Sequence, residues 1–267
     1  MTTPNVERRF EFTVEVPGTP EQVWDAIATA RGMSAWMMPT ELDERVGGAV
    51  RFHMGPETSE GEVTAWEPPR RIAYAEDWAT LAGQDPSTVT PLVSEFVVEA
   101  QAGGTCVVRV VSSAFGVGAD WEQEFFDDMA TGWAPMFDHL RVYLEHFAGL
   151  EATMMEVEAP LAGSAAEVAD AMRRALGIHA AGDTVDALGA KAIVEHIAGE
   201  HTLLRTTDPV PGFLALFAFR GEPGTAHARV AGYLFADDAP AWIEREQPRW
   251  QEWLTTLTPS TTPGATA

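Results

Sequence analysis

The sequence predicts an α+β fold of one strand, a capped helix, several further strands and a long final helix, and it predicts that order twice along the chain. Three observations carry this. An alternating apolar and polar run near the start leads straight into a capped amphipathic helix, a broad apolar helical stripe closes the first half, and after residue 150 the same signals begin again.

Phe10 to Val16 alternates apolar with acidic or hydroxyl residues, as a strand with one buried face should, and Pro17-Gly18 ends it. Thr19 offers an N-cap oxygen, Pro20 suits the first helical position, and Gln22 completes a capping box before Val23, Trp24 and Ile27, so a helix begins near Pro20. After Gly32, Trp36-Met37-Met38-Pro39 reads as a short second helix or a turn. Val46-Gly47-Gly48 then bends the chain into a strand over 49–54. Gly61 to Tyr74 gives two strands around the Glu67-Pro68-Pro69-Arg70 turn. In the closing helix, from about Asp120, Phe126, Met129, Trp133, Met136, Phe137, Leu140 and Leu144 recur at three- and four-residue steps. Pro135 removes one hydrogen bond there and should kink the helix or mark where its regular part starts.

These signals, in this order, resemble the Hsp90-ATPase-activator-homologue branch of the START-like, Bet v 1-like superfamily over roughly residues 6–148. The residues that carry the resemblance are Thr19-Pro20-Glu21-Gln22-Val23-Trp24, Trp36, Arg45-Val46-Gly47-Gly48, Gly61-Glu62-Val63 and Glu67-Pro68-Pro69-Arg70-Arg71-Ile72-Ala73-Tyr74. Gly132-Trp133, Leu140 and Tyr143-Leu144-Glu145 follow in the last helix. The resemblance implies a helix-grip fold, an antiparallel sheet curled around the C-terminal helix with an apolar cavity between them. It implies little about substrate, because one scaffold hosts carriers, cyclases and co-chaperones.

The second half, residues 151–257, reads as a shortened copy. Thr153 to Pro160 has strand character and ends at the proline, and Ser164 precedes Glu167 at capping-box spacing. Val168, Ala171, Met172 and Leu176 form a helical stripe up to Gly177. Strands follow over 192–197, 201–206, 213–220 and 227–235, then a helix after Asp238 carries Trp242, Ile243, Trp250, Trp253 and Leu254. A plain α+β extension is the alternative. Phe213 to Phe219 is apolar on both faces and needs cover on both, from the first domain or from another subunit, so a homodimer or a protein partner stays open. The tail 258–267 lacks apolar periodicity and is expected to be disordered.

Composition narrows the function. With 267 residues and 46% hydrophobic content the chain can bury a sizeable core, and neither an eighteen-residue apolar run nor a signal-peptide core is present, so a cytoplasmic location is expected. Forty acidic against seventeen basic residues give a net charge of −23, which disfavours nucleic acid and membrane surfaces. The same charge would attract a cationic ligand or a basic protein patch, but a solubility bias spread over the surface is the favoured account of it. Cys106, the single cysteine, reads as a core residue of a strand.

No cofactor and no metal site are expected. His139 and His146 lie seven apart on the last helix, His196 and His201 straddle a turn, and His53 alternates with Phe52 and Met54 and so should face outward; none has zinc-hydrolase spacing. No Gly-x-Ser-x-Gly elbow or Walker loop occurs, and Gly47-Gly48 reads as a turn. The candidate ligand-lining residues are Trp36 and Met38 from the turn, Phe52, Met54, Trp66, Tyr74 and Phe96 from the strands, and Trp121, Phe125, Met129 and Trp133 from the last helix, with Phe115 beside them. For any single one of these, core filling between sheet and helix is the favoured alternative. Alternation over 72–78 puts Glu76 and Trp78 on the face of Tyr74. Glu76 is then either an inward carboxyl of raised pKa, fit for general acid work or for a cationic group, or a solvated residue at a frayed hairpin end.

Three functions follow. The first is binding of a small apolar or amphipathic molecule. The second is a co-chaperone or other protein-interaction role, and the third a cyclase- or hydrolase-type enzyme, for which Tyr74, Glu76, Asp77 and Glu95 are loose candidates and no catalytic residue can be assigned.

Overall fold

The computed structural model describes residues 5–55 and 57–258, so the predicted tail lies, from residue 259 on, outside the described residues. The chain divides into two compact units, 1–151 and 152–267.

In the first unit β1 (Val6–Pro17) leads through Gly18 to α1 (Pro20–Ala28). The cap forms as the sequence requires: Gln22 N donates to Thr19 Oγ1 at 3.3 Å and Thr19 N donates to Gln22 Oε1 at 2.9 Å. A second short helix, α2 (Ala30–Ser34), precedes Trp36 instead of containing it, because the Thr29 hydroxyl accepts from Gly32 N at 2.9 Å and starts a new turn there. β2 (Thr40–Leu42), β3 (Ala49–Met54), β4 (Glu57–Glu67) and β5 (Arg71–Glu76) follow. The run predicted to extend to Trp78 stops at Glu76. Asp77 accepts from Thr80 N at 3.0 Å and caps the four-residue α3 (Trp78–Leu81), so Trp78 belongs to that helix. β6 (Leu92–Ala100), β7 (Thr105–Gly116) and α4 (Asp120–His146) complete the unit.

All seven strands form one antiparallel sheet in the order β1-β7-β6-β5-β4-β3-β2, so the first strand closes on the last. Pro135 sits inside an unbroken α4. That helix has two characters: Phe137, Leu140, Val142, Tyr143 and Leu144 near its end are buried, whereas residues 127–136, which include Gly132 and Pro135, contribute no buried residue. Cys106 is buried in β7, its thiol directed at the Gly18 carbonyl at 3.4 Å.

The second unit follows the same circuit with one strand fewer. β8 (Thr153–Ala162), α5 (Ala165–Ala175), β9 (Thr184–Ala187), β10 (Ala190–Ala198), β11 (His201–Asp208), β12 (Gly212–Arg220), β13 (Thr225–Leu234) and α6 (Ala239–Thr256) give a sheet ordered β8-β13-β12-β11-β10-β9. The repeat extends to detail. Gly18 and Gly163 precede the caps at φ 117° and 116°, Thr19 and Ser164 share φ −81° with ψ 161° and 162°, and each glycine N donates at 3.0 Å to a glycine carbonyl of the last hairpin, Gly104 or Gly224. A positive φ of this size is what glycine supplies at no steric cost.

Two sequence expectations need correction here. β8 does not end at Pro160 but runs on to Ala162, because β8 is an edge strand and the missing N–H costs no ladder bond. β9 escaped notice because its turn uses Leu188, a non-glycine residue at φ 56°, ahead of Gly189. The core of this unit is aliphatic, closed by Trp242, Trp250 and Leu254 of α6 against β8 and by α5. Along the edge, Gln247 Nε2 donates to the Glu156 carbonyl at 3.2 Å and Gln251 Nε2 to the Glu158 carbonyl at 2.9 Å.

Candidate functional site

The register of the first sheet decides which side chains share a face. Phe52 stands opposite Ser59, Gly61 opposite Glu76, Tyr74 opposite Ser94, and Ser94 opposite Ser112. A bulge between Val63 and Ala65 shifts β4 by one residue against β5. Ring contacts show that this is the face turned to α4. Phe52 lies 5.2 Å from Tyr74, Tyr74 6.0 Å from Phe96, and Phe96 5.7 Å from Trp133 of α4, which stacks on Phe137 at 5.5 Å. Five aromatic rings, three on the sheet and two on the helix, therefore run in contact across the face, at separations where edge and offset contacts are favourable.

Polar groups are set among them. Ser59 is buried, and its hydroxyl donates to Glu76 Oε1 at 2.5 Å. Desolvation raises the Glu76 carboxyl to a pKa of about 7, and the Ser59 hydrogen bond opposes that rise. Burial, with the Glu76 charge beside it, likewise pushes the Tyr74 phenol well above its ordinary value. Farther along the row, the hydroxyls of Ser94 and Ser112, both buried, are 2.9 Å apart. Gly61 makes room for this arrangement, since a Cβ there would stand 2.5 Å from the Ala75 carbonyl and 3.0 Å from Glu76 Cγ.

Of the two readings of Glu76, the inward one is thus the one realised. A carboxyl that titrates near neutrality beside a hydroxyl donor can accept a cation when ionised or donate a proton when neutral.

The other candidates separate into groups. Trp78 packs on Trp121, Phe125 and Phe126 at 4.7 to 5.4 Å, with Met129 against the same cluster, and its indole N–H donates to the Thr90 carbonyl at 2.8 Å. Trp36 is core: it is fully buried, and its indole N–H donates to the Ala26 carbonyl at 2.9 Å. Trp66 meets Trp24 of α1 at 5.0 Å. Met38 and Met54 are half-buried, Met54 at the end of the β3–β4 hairpin, and Phe115 is exposed. Of the polar candidates, Asp77 is a helix cap and Glu95 pairs with Arg71 at 2.6 Å, so only Tyr74 and Glu76 come together.

The histidines stand apart from this face. His53 pairs with Glu41 at 3.1 Å and Thr58 at 3.2 Å on the outer side. His139 is buried, its Nδ1–H donating to the Trp36 carbonyl at 3.2 Å, and burial lowers its pKa to about 4, while His146 is exposed. Among the described residues no three His, Cys, Asp or Glu side chains cluster so as to hold a metal, and no helix is long and apolar enough to cross a membrane. A shallow concavity of about 330 Å³ lies elsewhere, on α6 beside Pro248.

Ser59, Ser94 and Ser112 were missed from sequence. Their one signal is positional: each falls on the inward phase of its strand, a place where serine is less common than an apolar residue.

Residues 17–145 match the family model described as Activator of Hsp90 ATPase homolog 1-like protein. Among solved structures, a Mesorhizobium loti protein is 21% identical over 52% of this chain and 98% of its own, with a TM-score of 0.44. The Aha1 dimer from Colwellia psychrerythraea is 19% identical over 52% and 97%, with a TM-score of 0.42. The di-domain ARO/CYC BexL of the BE-7585A biosynthetic pathway is 15% identical over 94% and 93%, with a TM-score of 0.44. No curated protein sequence matches.

Proposed function

We propose, for a chain whose residues 17–145 match the Activator of Hsp90 ATPase homolog 1-like family model, that the first unit binds a small amphipathic molecule between its sheet and α4. The observation that carries this reading is the Ser59–Glu76 pair within the ring contacts of Phe52, Tyr74 and Phe96. A domain stabilised by packing alone gains nothing from a carboxyl on its inner face, since burying one costs free energy unless something answers it. The half-buried middle of α4, residues 127–136, supplies the route, because a segment with few buried contacts opens at low cost. The ligand would lie along the rings, with its polar end at Glu76 and Ser59.

The family description supports a second reading, in which the same chain acts through a protein partner. Native mass spectrometry of the protein purified from its own host separates the two. A stoichiometric small molecule that is lost in Glu76→Gln supports the first reading. An empty chain that carries a co-purifying protein overturns it in favour of the second.

A further inference from the structure

Glu76 is the exception among the carboxylates of the first unit. Four others among its described residues are not exposed, and each has an arginine. Asp25 pairs with Arg31 at 3.0 Å, Glu95 with Arg71 at 2.6 Å, Glu122 with Arg8 at 3.6 Å, and Asp138 with Arg141 at 3.1 Å. Glu122 in addition accepts from the Val117 and Gly118 backbone N–H groups at 2.9 and 3.0 Å. Glu76 has the Ser59 hydroxyl and no cation among the described residues. Glu76 is half-buried, and a carboxylate drawn partly from water without a cation stands out in a unit where the four others so placed each have one.

The surroundings of Glu76 say what is missing. Tyr74, two residues back along β5, and Phe52, which stands opposite Ser59 and meets Tyr74, are the rings on its side of the face, and the Tyr74 hydroxyl makes no hydrogen bond to another described residue. Aromatic rings beside a carboxylate form the environment that attracts an alkylated ammonium, through ring quadrupole and charge together. The protein's net charge of −23 biases approach in the same direction. Building on the small-molecule reading above, we infer that the inner face of the first unit selects a ligand bearing a positive, alkylated nitrogen, which Glu76 neutralises with the rings of Phe52 and Tyr74 alongside.

The groups on the flanking elements allow the charge of Glu76 to be read. Ser59 and Tyr74 face it, and Leu92 stands opposite on β6. Arg51, His53 and Glu60 are engaged in ion pairs and hydrogen bonds on the outer side, Glu62 is exposed, and on α4 Asp127 and Asp128 are exposed.

The test compares two isosteric probes by tryptophan fluorescence titration, an N,N,N-trimethylnaphthylammonium ion and neutral tert-butylnaphthalene. The ammonium is expected to bind wild type about tenfold more tightly at pH 8, within the range of a desolvated cation–π and charge contact. That preference should shrink as the pH is lowered to 5.5 and Glu76 is protonated, and it should vanish in Glu76→Gln. Should Glu76→Gln fail to fold, the wild-type pH series decides, together with Ser59→Ala, which retains the carboxylate and so retains the preference. Equal affinity for the two probes overturns the cation inference and leaves the small-molecule reading standing. No binding of either probe overturns both.

Discussion

The two units share a circuit, a cap and a glycine geometry, yet they differ in what faces their helices. In the first, the inner face carries Ser59, Tyr74, Glu76, Ser94 and Ser112 among aromatic rings. In the second, that face is held by Leu204, Leu214, Leu216 and Val230, with the buried hydroxyls of Thr202 and Thr206 on the same phase of β11, and the buried Glu246 of α6 is tied to Arg245 and to Arg249 of its own helix. The second unit shows that this sheet and helix close without a carboxyl on the sheet's inner face. The inner carboxyl of the first is therefore no requirement of the scaffold, and its presence is information about use.

The comparison can be broken by mutation, and the largest effect belongs to the second unit. Trp250 is fully buried in its core, and Trp250→Ala should cost about 3 to 5 kcal/mol of stability in urea unfolding. Trp133, half-buried on the first unit's α4, should cost clearly less on the same substitution and instead weaken ligand retention. Equal losses would mean that the first helix is as tightly packed as the second.

Next comes the charge at Glu76. Its folded pKa of about 7 lies above the ordinary carboxyl value of 4.5, so the folded state holds the proton more firmly than the unfolded chain. The associated stability is fully present below about pH 4.5 and is lost as the pH rises through 7. Since Glu76 keeps some exposure, the loss is at most about 3 kcal/mol. Glu76→Gln should accordingly be more stable than wild type at pH 8 and nearly equal to it at pH 4.5, provided the amide keeps the Ser59 contact. His139 acts with the opposite sign: its pKa is lowered from 6.5 to about 4, so its contribution is present above pH 6.5 and is lost as the pH falls toward 4. Unfolding of Glu76→Gln across pH 4 to 8 should therefore retain only the acid-side loss. A variant that still lost stability between pH 5 and 8 would contradict the assignment to Glu76.

The smallest effects should be the same in both units. Thr19→Ala and Ser164→Ala remove equivalent caps, and each should cost about 1 kcal/mol by thermal or urea unfolding. Unequal costs would separate two helices that the backbone makes alike.

Much of the fold was legible because it is written in local chemistry. Thr19 and Gln22, and again Ser164 and Glu167, specify their helix starts within four residues, and the period-two run from Phe10 needs no partner to be read. What escaped depended on neighbours distant in sequence or on unusual turns. Leu188 hid a hairpin because leucine seldom takes a positive φ. Asp77 cut a strand by capping a helix that its own alternation does not announce. The site was legible in its aromatics and in the phase of Glu76, but Ser59 reaches Glu76 only through the pairing of β4 with β5. The missing arginine is visible only once the four other carboxylates of that unit that are drawn from solvent have each found one.

A chain holding two sheets of one topology carries a hazard of its own making while it folds, since a strand of one copy can be taken up by the open edge of the other. Gln247 and Gln251 bear on that hazard. By lending their amides to the carbonyls of Glu156 and Glu158, they occupy hydrogen-bonding positions on the long outer strand of the second sheet. The final helix thus acts as a selvedge, finishing the fabric at the border where it would otherwise accept another thread.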